Sequence, residues 1–314
     1  MKEDLNPVPR VSVVICAYNA EPYVAATLDS VFAQTYRNFE VVLVNDGATD
    51  NTEEVIRPFL DKIVYVKQAN KGPGAARNAA LRVARGRYIA ILDSDDQWLP
   101  EYLEQMVGFL DTHPEVDLYY PNAVFFGGSH FDDTTFQEVC PSSEPITVEK
   151  VLQRECNVFI SALFRREMLK KVGWFDEALR GSEDLDLWLR MLQRGYHFAF
   201  TPQVLVRYRK RGDSLSASSV GYYEQVLKAV RKFRASSLAT SLQKSLAETQ
   251  IKQIVIERDL LRSKQEIAAR DFVPALKHLV NVLSARPSIK LKLVTVGVIL
   301  FPALVSWFMT RRST

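Results

Sequence analysis

Apolar and polar positions follow two rhythms over the first hundred residues. Val11–Ala17 (VSVVICA) is a short, continuous apolar run flanked by polar residues, which predicts a buried strand. Glu21–Gln34 then puts Val24, Leu28, Val31 and Phe32 at helical spacing. The alternation continues: Phe39–Val44 predicts a strand ending at Asn45-Asp46-Gly47, Asn51–Leu60 a helix, and Ile63–Val66 a strand. Gly74–Ala84 is Ala-rich and helical, and Tyr88–Leu92 is a fourth strand running into Asp93-Ser94-Asp95-Asp96. Strands and helices alternating at these lengths predict an α/β fold with a mainly parallel central sheet flanked by helices.

The middle of the chain is mixed. Leu118–Phe126 and Val158–Phe164 read as strands, and Glu183–Arg194 as a helix with Ser182 at its N-cap. Phe198–Tyr208 reads as one or two strands around Thr201-Pro202, and Gly127–Pro145 as a loop. From Tyr222 to Ser284 the pattern is helical. Residues 293–309 then form 17 uncharged positions between Lys290 and Lys292 on one side and Arg311 and Arg312 on the other, interrupted by Pro302. A buried terminal helix, a short span and an interfacial helix are all compatible with that run. The expected organisation is a catalytic domain over 1–220, a basic helical extension over 221–288 and an apolar helix over 289–314.

Composition narrows the class. With 47% hydrophobic and 25% charged residues, the chain is neither disordered, collagenous nor a many-span membrane protein. A formal charge of +3 gives no sign of nucleic acid as a partner, but its distribution is uneven. After residue 220 there are 16 Lys and Arg against 6 Asp and Glu; the first 220 residues carry 24 against 31. A basic segment on an acidic body suits an anionic partner surface, a membrane among them. Cys16, Cys140 and Cys156 have no disulfide or zinc spacing. No basic lead precedes a secretory-type apolar run. A cytoplasmic protein, peripheral or anchored at the inner face of the plasma membrane, is the expectation.

In parallel α/β sheets ligands sit beyond the carboxyl ends of the strands. Those ends carry Tyr18-Asn19, Asn45-Asp46, Asn70–Gly74 and Asp93–Asp96, so four polar clusters share one rim. Asp93 and Asp95, two carboxylates two residues apart, suit a hard divalent cation shared with a diphosphate; an acidic turn is the plainer alternative. Asp46 could accept a bond from a base or ribose, or simply shape an Asp-Gly turn. Tyr18 offers an aromatic face. Arg77 lies in the first turn of a glycine-led helix, where anions are favoured. Glu183 and Asp184 open a helix whose N-terminus holds a carboxylate ionised, as a general base requires; Asp186 competes for that role. Arg209-Lys210-Arg211 is a basic loop suited to a diphosphate or a lipid phosphate.

In this order, VSVVICAYNAEPYVAATLDSVFAQTYRNFEVVLVNDGATDNT, NKGPGAARNAAL, GRYIAILDSDD and GSEDLDLWLRML resemble glycosyltransferase family 2 over about residues 10–216. The resemblance implies the GT-A nucleotide-diphospho-sugar transferase fold with an α-helical C-terminal extension. By position it implies nucleotide-sugar binding at Ala17, Tyr18, Asn19, Glu21, Asp46, Arg77 and Asp93, and a metal (Mn2+ or Mg2+) at Asp93 and Asp95. Asp184 falls at the catalytic base. The implied reaction is inverting, non-processive transfer of one sugar, by default from a UDP-sugar, to a glycan or lipid-linked acceptor of the cell-surface type. Two departures stand out. The pair after the second strand is Asn45-Asp46 rather than Asp-Asp, and Lys210-Arg211 stand where the family often has a histidine. No Q-x-x-R-W marks a processive synthase. The alternatives are a catalytically silent carbohydrate-binding scaffold and a sugar-phosphate nucleotidyltransferase; the latter lacks its expected glycine-rich loop after the first strand.

Overall fold

The structure, a computed structural model, describes residues 8–129, 131–211 and 219–302. The first half follows the expected alternation: β1 (Val11–Ala17), α1 (Val24–Phe32), β2 (Phe39–Asn45), α2 (Thr52–Ile56), β3 (Val64–Lys67), α3 (Pro73–Val83) and β4 (Tyr88–Asp93). Short β5 (Gln97–Trp98) leads to α4 (Tyr102–Thr112), then β6 (Leu118–Phe126), α5 (Phe136–Val139), α6 (Val148–Leu152), β7 (Leu163–Arg165) and α7 (Met168–Val172). After α8 (Glu183–Leu192) and the long β8 (Phe198–Arg209) come four helices: α9 (Val220–Ala235), α10 (Ser241–Ala268), α11 (Phe272–Ala285) and α12 (Ile289–Leu300).

One sheet holds all eight strands in the order β3-β2-β1-β4-β7-β6-β8-β5. β3, β2, β1 and β4 are mutually parallel, joined by right-sized helical crossovers, so their carboxyl ends open on the same rim. Register fixes the neighbours there: Ala17 pairs with Asn45 and Cys16 with Asp93. β1 is wholly apolar at its core because both faces are covered, which is why its sequence is continuous rather than alternating.

Two expectations change. Of the strand expected over Val158–Phe164 only Leu163 and Phe164 are extended, in β7 (Leu163–Arg165), which pairs antiparallel with both β4 and β6. Ser182 does occupy the N-cap position of α8, but its backbone is left-handed (φ 59°) and its side chain makes no capping bond. Helix α4 lay unread in the sequence, although Leu103, Met106, Val107 and Leu110 are buried at helical spacing.

The rim is held by the turns that feed it. Thr27 on α1 donates to the carbonyls of Ser94 (3.0 Å) and Asp96 (2.8 Å), pinning the acidic turn after β4. Trp98 stacks on Tyr102 at 3.9 Å and donates to Ser161 (2.7 Å), which anchors the far side of the same turn. At Gly47 the backbone has φ +73°, and a Cβ there would meet the Asn70 amide nitrogen at 2.6 Å. Gly47→Ala is expected to cost about 1–3 kcal/mol in urea denaturation, since both the left-handed backbone and the loop contact resist a side chain. An unchanged unfolding midpoint would show that the β2 turn is not constrained.

The core beneath the sheet continues without a break into α9 and the first half of α10, through Leu227, Val230, Phe233, Ala247 and Ile254. Beyond that, Ile267, Ala275, Leu279 and Val298 form a separate, smaller cluster that joins α10, α11 and α12.

Candidate active site

At the mouth of β2, the Asp46 carboxylate is buried and turned toward its own scaffold. It accepts from the amides of Lys71 (3.0 Å) and Gly72 (2.9 Å) and from Gln68 Nε2 (2.7 Å). It therefore holds the glycine-led entry of α3 against the sheet, and whatever it offers a base comes from lone pairs left after that clamp. Asn19 and Glu21 are similarly engaged. Asn19, at φ 48°, accepts from the Thr49 amide at 2.8 Å, and Glu21 accepts from the backbone and side chain of Asn51 at 3.1 Å. These bonds tie the loop after β1 to the loop after β2. Ala17 is fully buried and contributes its carbonyl, which accepts from the Asp46 amide at 2.9 Å. Tyr18 is 48% exposed, and Asn19 beside it is exposed as well.

A second set lies on the other side of β4. Arg77, on α3, is buried between two carboxylates: one terminal nitrogen donates to Asp93 at 2.8 Å and the other to Glu183. Burial opposes its charge, but Glu183 and Asp93 outweigh burial and raise its pKa. The sequence sets Arg77 where it could approach a phosphate; here each end of its fork holds a carboxylate, so it links the acidic turn after β4 to the start of α8. Glu183 was read only as one of two helix-start acids. Its side chain is 5% exposed, and burial pushes its carboxyl up to about 7 against the pull of Arg77.

The acids that open α8 now separate. Glu183 is bound to Arg77, and Asp186 to Arg190 (2.9 Å) and Lys232 (2.9 Å). Asp184 has no ion pair among the described residues; its carboxylate accepts from the Leu185 amide at 2.8 Å. Burial raises its pKa, Arg77 works against that rise, and Asp93 adds to it.

Asp93 and Asp95 close the site. Asp95 is pushed up to about 6 by burial and then by the negative charge of Asp93. Two carboxylates this close form a position where positive charge is welcome. Part of it comes from the end of β8: Arg211 pairs with Asp95 at 3.2 Å, and Arg209 donates to the Asp95 carbonyl at 3.0 Å. The Arg209 amide donates to Asp96 (2.8 Å), whose other carboxylate oxygen is buried without a partner. Arg209 and Arg211 both lie over the Tyr23 ring, at 4.8 and 4.9 Å. The segment read as a free basic loop is therefore folded back on the acidic turn as far as Arg211. The oxygen-only pair Asp93/Asp95 has the donor chemistry for Mg2+ or Mn2+, which take one or two carboxylates and complete their shell with phosphate and water. No cluster of three metal-ligating side chains occurs among the described residues.

Comparison with known proteins agrees with this architecture. Residues 12–173 match the family described as Glycosyl transferase family 2. The chain is 33% identical to the Escherichia coli UDP-Glc:alpha-D-GlcNAc-diphosphoundecaprenol beta-1,3-glucosyltransferase WfaP, over 66% of this chain and 80% of that protein. It is 29% identical to the Bacillus subtilis glycosyltransferase TuaG, named for teichuronic acid biosynthesis, over 67% and 82%. Among solved structures, Staphylococcus aureus TarS with UDP superposes with a TM-score of 0.61 at 18% identity, covering 96% of this chain and 89% of that one. The mannosyltransferase PcManGT of Pyrobaculum calidifontis, in complex with GDP-Man and Mn2+, gives 0.63 at 20% identity, covering 98% and 85%. These superpositions show the GT-A fold. With more than half of the chain inside the matched region, the protein belongs to glycosyl transferase family 2 and is a glycosyltransferase with a nucleotide-sugar donor.

Proposed function

We propose that this enzyme moves one sugar from a UDP-sugar to a hydroxyl of a lipid-linked cell-surface glycan precursor, with inversion at the anomeric carbon. The observation that carries the reading is Asp184, the acid at the start of α8 with no ion pair among the described residues, set next to the Arg77 bridge that leads to Asp93. Asp184 takes the proton of the acceptor hydroxyl. The acceptor oxygen bonds to the anomeric carbon from the face opposite the diphosphate, and the carbon–oxygen bond to the diphosphate breaks with its electron pair leaving on that oxygen. Tyr18 offers its ring to the nucleobase, and Asp46 shapes the pocket floor through Lys71 and Gly72. Asp93 and Asp95 would hold a divalent cation, which when bound supplies positive charge against the leaving diphosphate. The lipid-linked acceptor is supported by the diphosphoundecaprenol in the name of the Escherichia coli relative, and the single transfer by the absence of Q-x-x-R-W.

The test is a panel of UDP-, GDP- and dTDP-sugars with a diphosphoundecaprenol-linked acceptor, read by nucleotide release and by the anomeric configuration of the product. Release is expected from one UDP-sugar, abolished by chelator and restored by Mn2+ or Mg2+, with an inverted product. A retained configuration, or full activity in excess chelator, would remove the corresponding part of the proposal.

A further inference from the structure

Helices α11 and α12 expose an apolar face with no protein element over it among the described residues. Helix α12 packs on its neighbours through Leu291, Val294 and Val298, at i, i+3 and i+7. The opposite side is apolar too: Leu293 is 67% exposed and Ile299 60%, followed by Phe301 at 62%. Beyond its first turn, which carries Lys290 and Lys292, α12 is largely apolar on both sides, and an apolar helix face is covered by protein or sits in lipid. Helix α11 adds exposed Val273 (81%) and Val280 to the same end of the molecule.

The charge near this face is mostly positive: Lys277, Arg286 and Lys292 are exposed on α11, α12 and the turn between them, Asp271 stands at the start of α11, and no acidic residue follows it in the sequence. Lysine and arginine beside an apolar surface are the two signals that together hold a protein on an anionic bilayer, where either alone binds weakly. A second copy of the same face would bring these positive charges together and is disfavoured for that reason. The 12 residues of α12 extend about 18 Å, short of the roughly 30 Å hydrocarbon core. No helix of the described residues is long and apolar enough to cross a membrane.

We propose that the α11–α12 face docks on the surface of an anionic lipid bilayer, with α12 seated at the level of the headgroups and upper acyl chains. The proposal is independent of which sugar is transferred, and its test reads binding rather than catalysis. The full-length protein is floated with vesicles of phosphatidylcholine alone and of phosphatidylcholine with 30 mol%, an order-of-magnitude physiological share (about one third), phosphatidylglycerol. Binding is expected on the anionic vesicles and weakened by salt. Leu293→Asp with Phe301→Asp, and separately Lys277→Glu with Lys292→Glu, are each expected to weaken it by at least about tenfold. All four positions are exposed, so thermal unfolding should be unchanged, which separates loss of docking from loss of fold. Equal binding to neutral vesicles, or no binding to either, would overturn the proposal. So would sedimentation showing a stable dimer that Leu293→Asp dissociates.

Discussion

Asp184→Asn is expected to reduce sugar transfer by about 10²–10⁴-fold while leaving donor affinity within a factor of about two, because only proton removal from the acceptor is lost. Three acids crowd the first turn of α8, so the assignment has to survive its neighbours. Glu183 is committed to Arg77, and Asp186 to Arg190 and Lys232. Asp184 has room to accept a proton and a pKa raised by burial, which makes it a stronger base than an exposed carboxylate. The direction of that shift has its own consequence. A base acts only when ionised, so activity rises with pH through its pKa, and the acidic limb of the rate profile should lie above the ordinary carboxylate range. Asp186→Asn should behave differently, loosening the α8–α9 contact through Lys232 and lowering the unfolding midpoint more than the turnover of the folded enzyme. If Asp186→Asn and Asp184→Asn lose transfer equally at full fold stability, the assignment to Asp184 fails.

Much of the rim is legible in the sequence. Continuous apolar strands such as β1 and β4 announce themselves, and once they are parallel their ends must share a side, so Asp46, Asp93 and the glycine-led start of α3 had to meet. Pairings across sequence distance were not legible. Arg77 and Glu183 lie 106 positions apart, and Arg209 and Asp96 lie 113 apart. Local spacing carries no trace of either contact. One indirect signal exists: Arg77 sits amid the small residues of Gly74–Ala80, which favour close packing, and a buried guanidinium requires carboxylate partners. The same reasoning explains why Asn19 and Glu21 read as ligand contacts. Polar side chains at strand ends also serve to bind adjacent loops to each other, and sequence alone does not separate the two uses. Helix α4 was a different kind of omission, since its apolar spacing was present but followed a two-residue strand and a proline that broke the pattern.

Arg77→Ala should cost about 3–5 kcal/mol of stability near neutral pH, the usual consequence of removing one partner from a buried ion pair. Glu183 and Asp93 would both lose their cation, and Glu183 has no solvent to turn to at 5% exposure. The pH dependence identifies the cause. Glu183 already has a folded-state pKa of about 7 against an ordinary 4.5, so the folded protein holds its proton more tightly than the unfolded chain. Stability from such a group is fully present below the unfolded value and is lost as pH rises through the folded one. Without Arg77 the folded value climbs further, which widens that window upward. The deficit of Arg77→Ala should therefore be largest near about pH 8 and shrink toward about pH 5, as Glu183 takes up its proton. Arg77→Lys keeps the charge but not the fork that reaches two carboxylates at once, and should fall between the variant and the parent. Denaturant unfolding at the two pH values decides the matter. A deficit independent of pH would mean that Arg77 stabilises by packing against Phe175, 5.6 Å from its guanidinium carbon, rather than by joining the donor-side turn to the helix that carries Asp184.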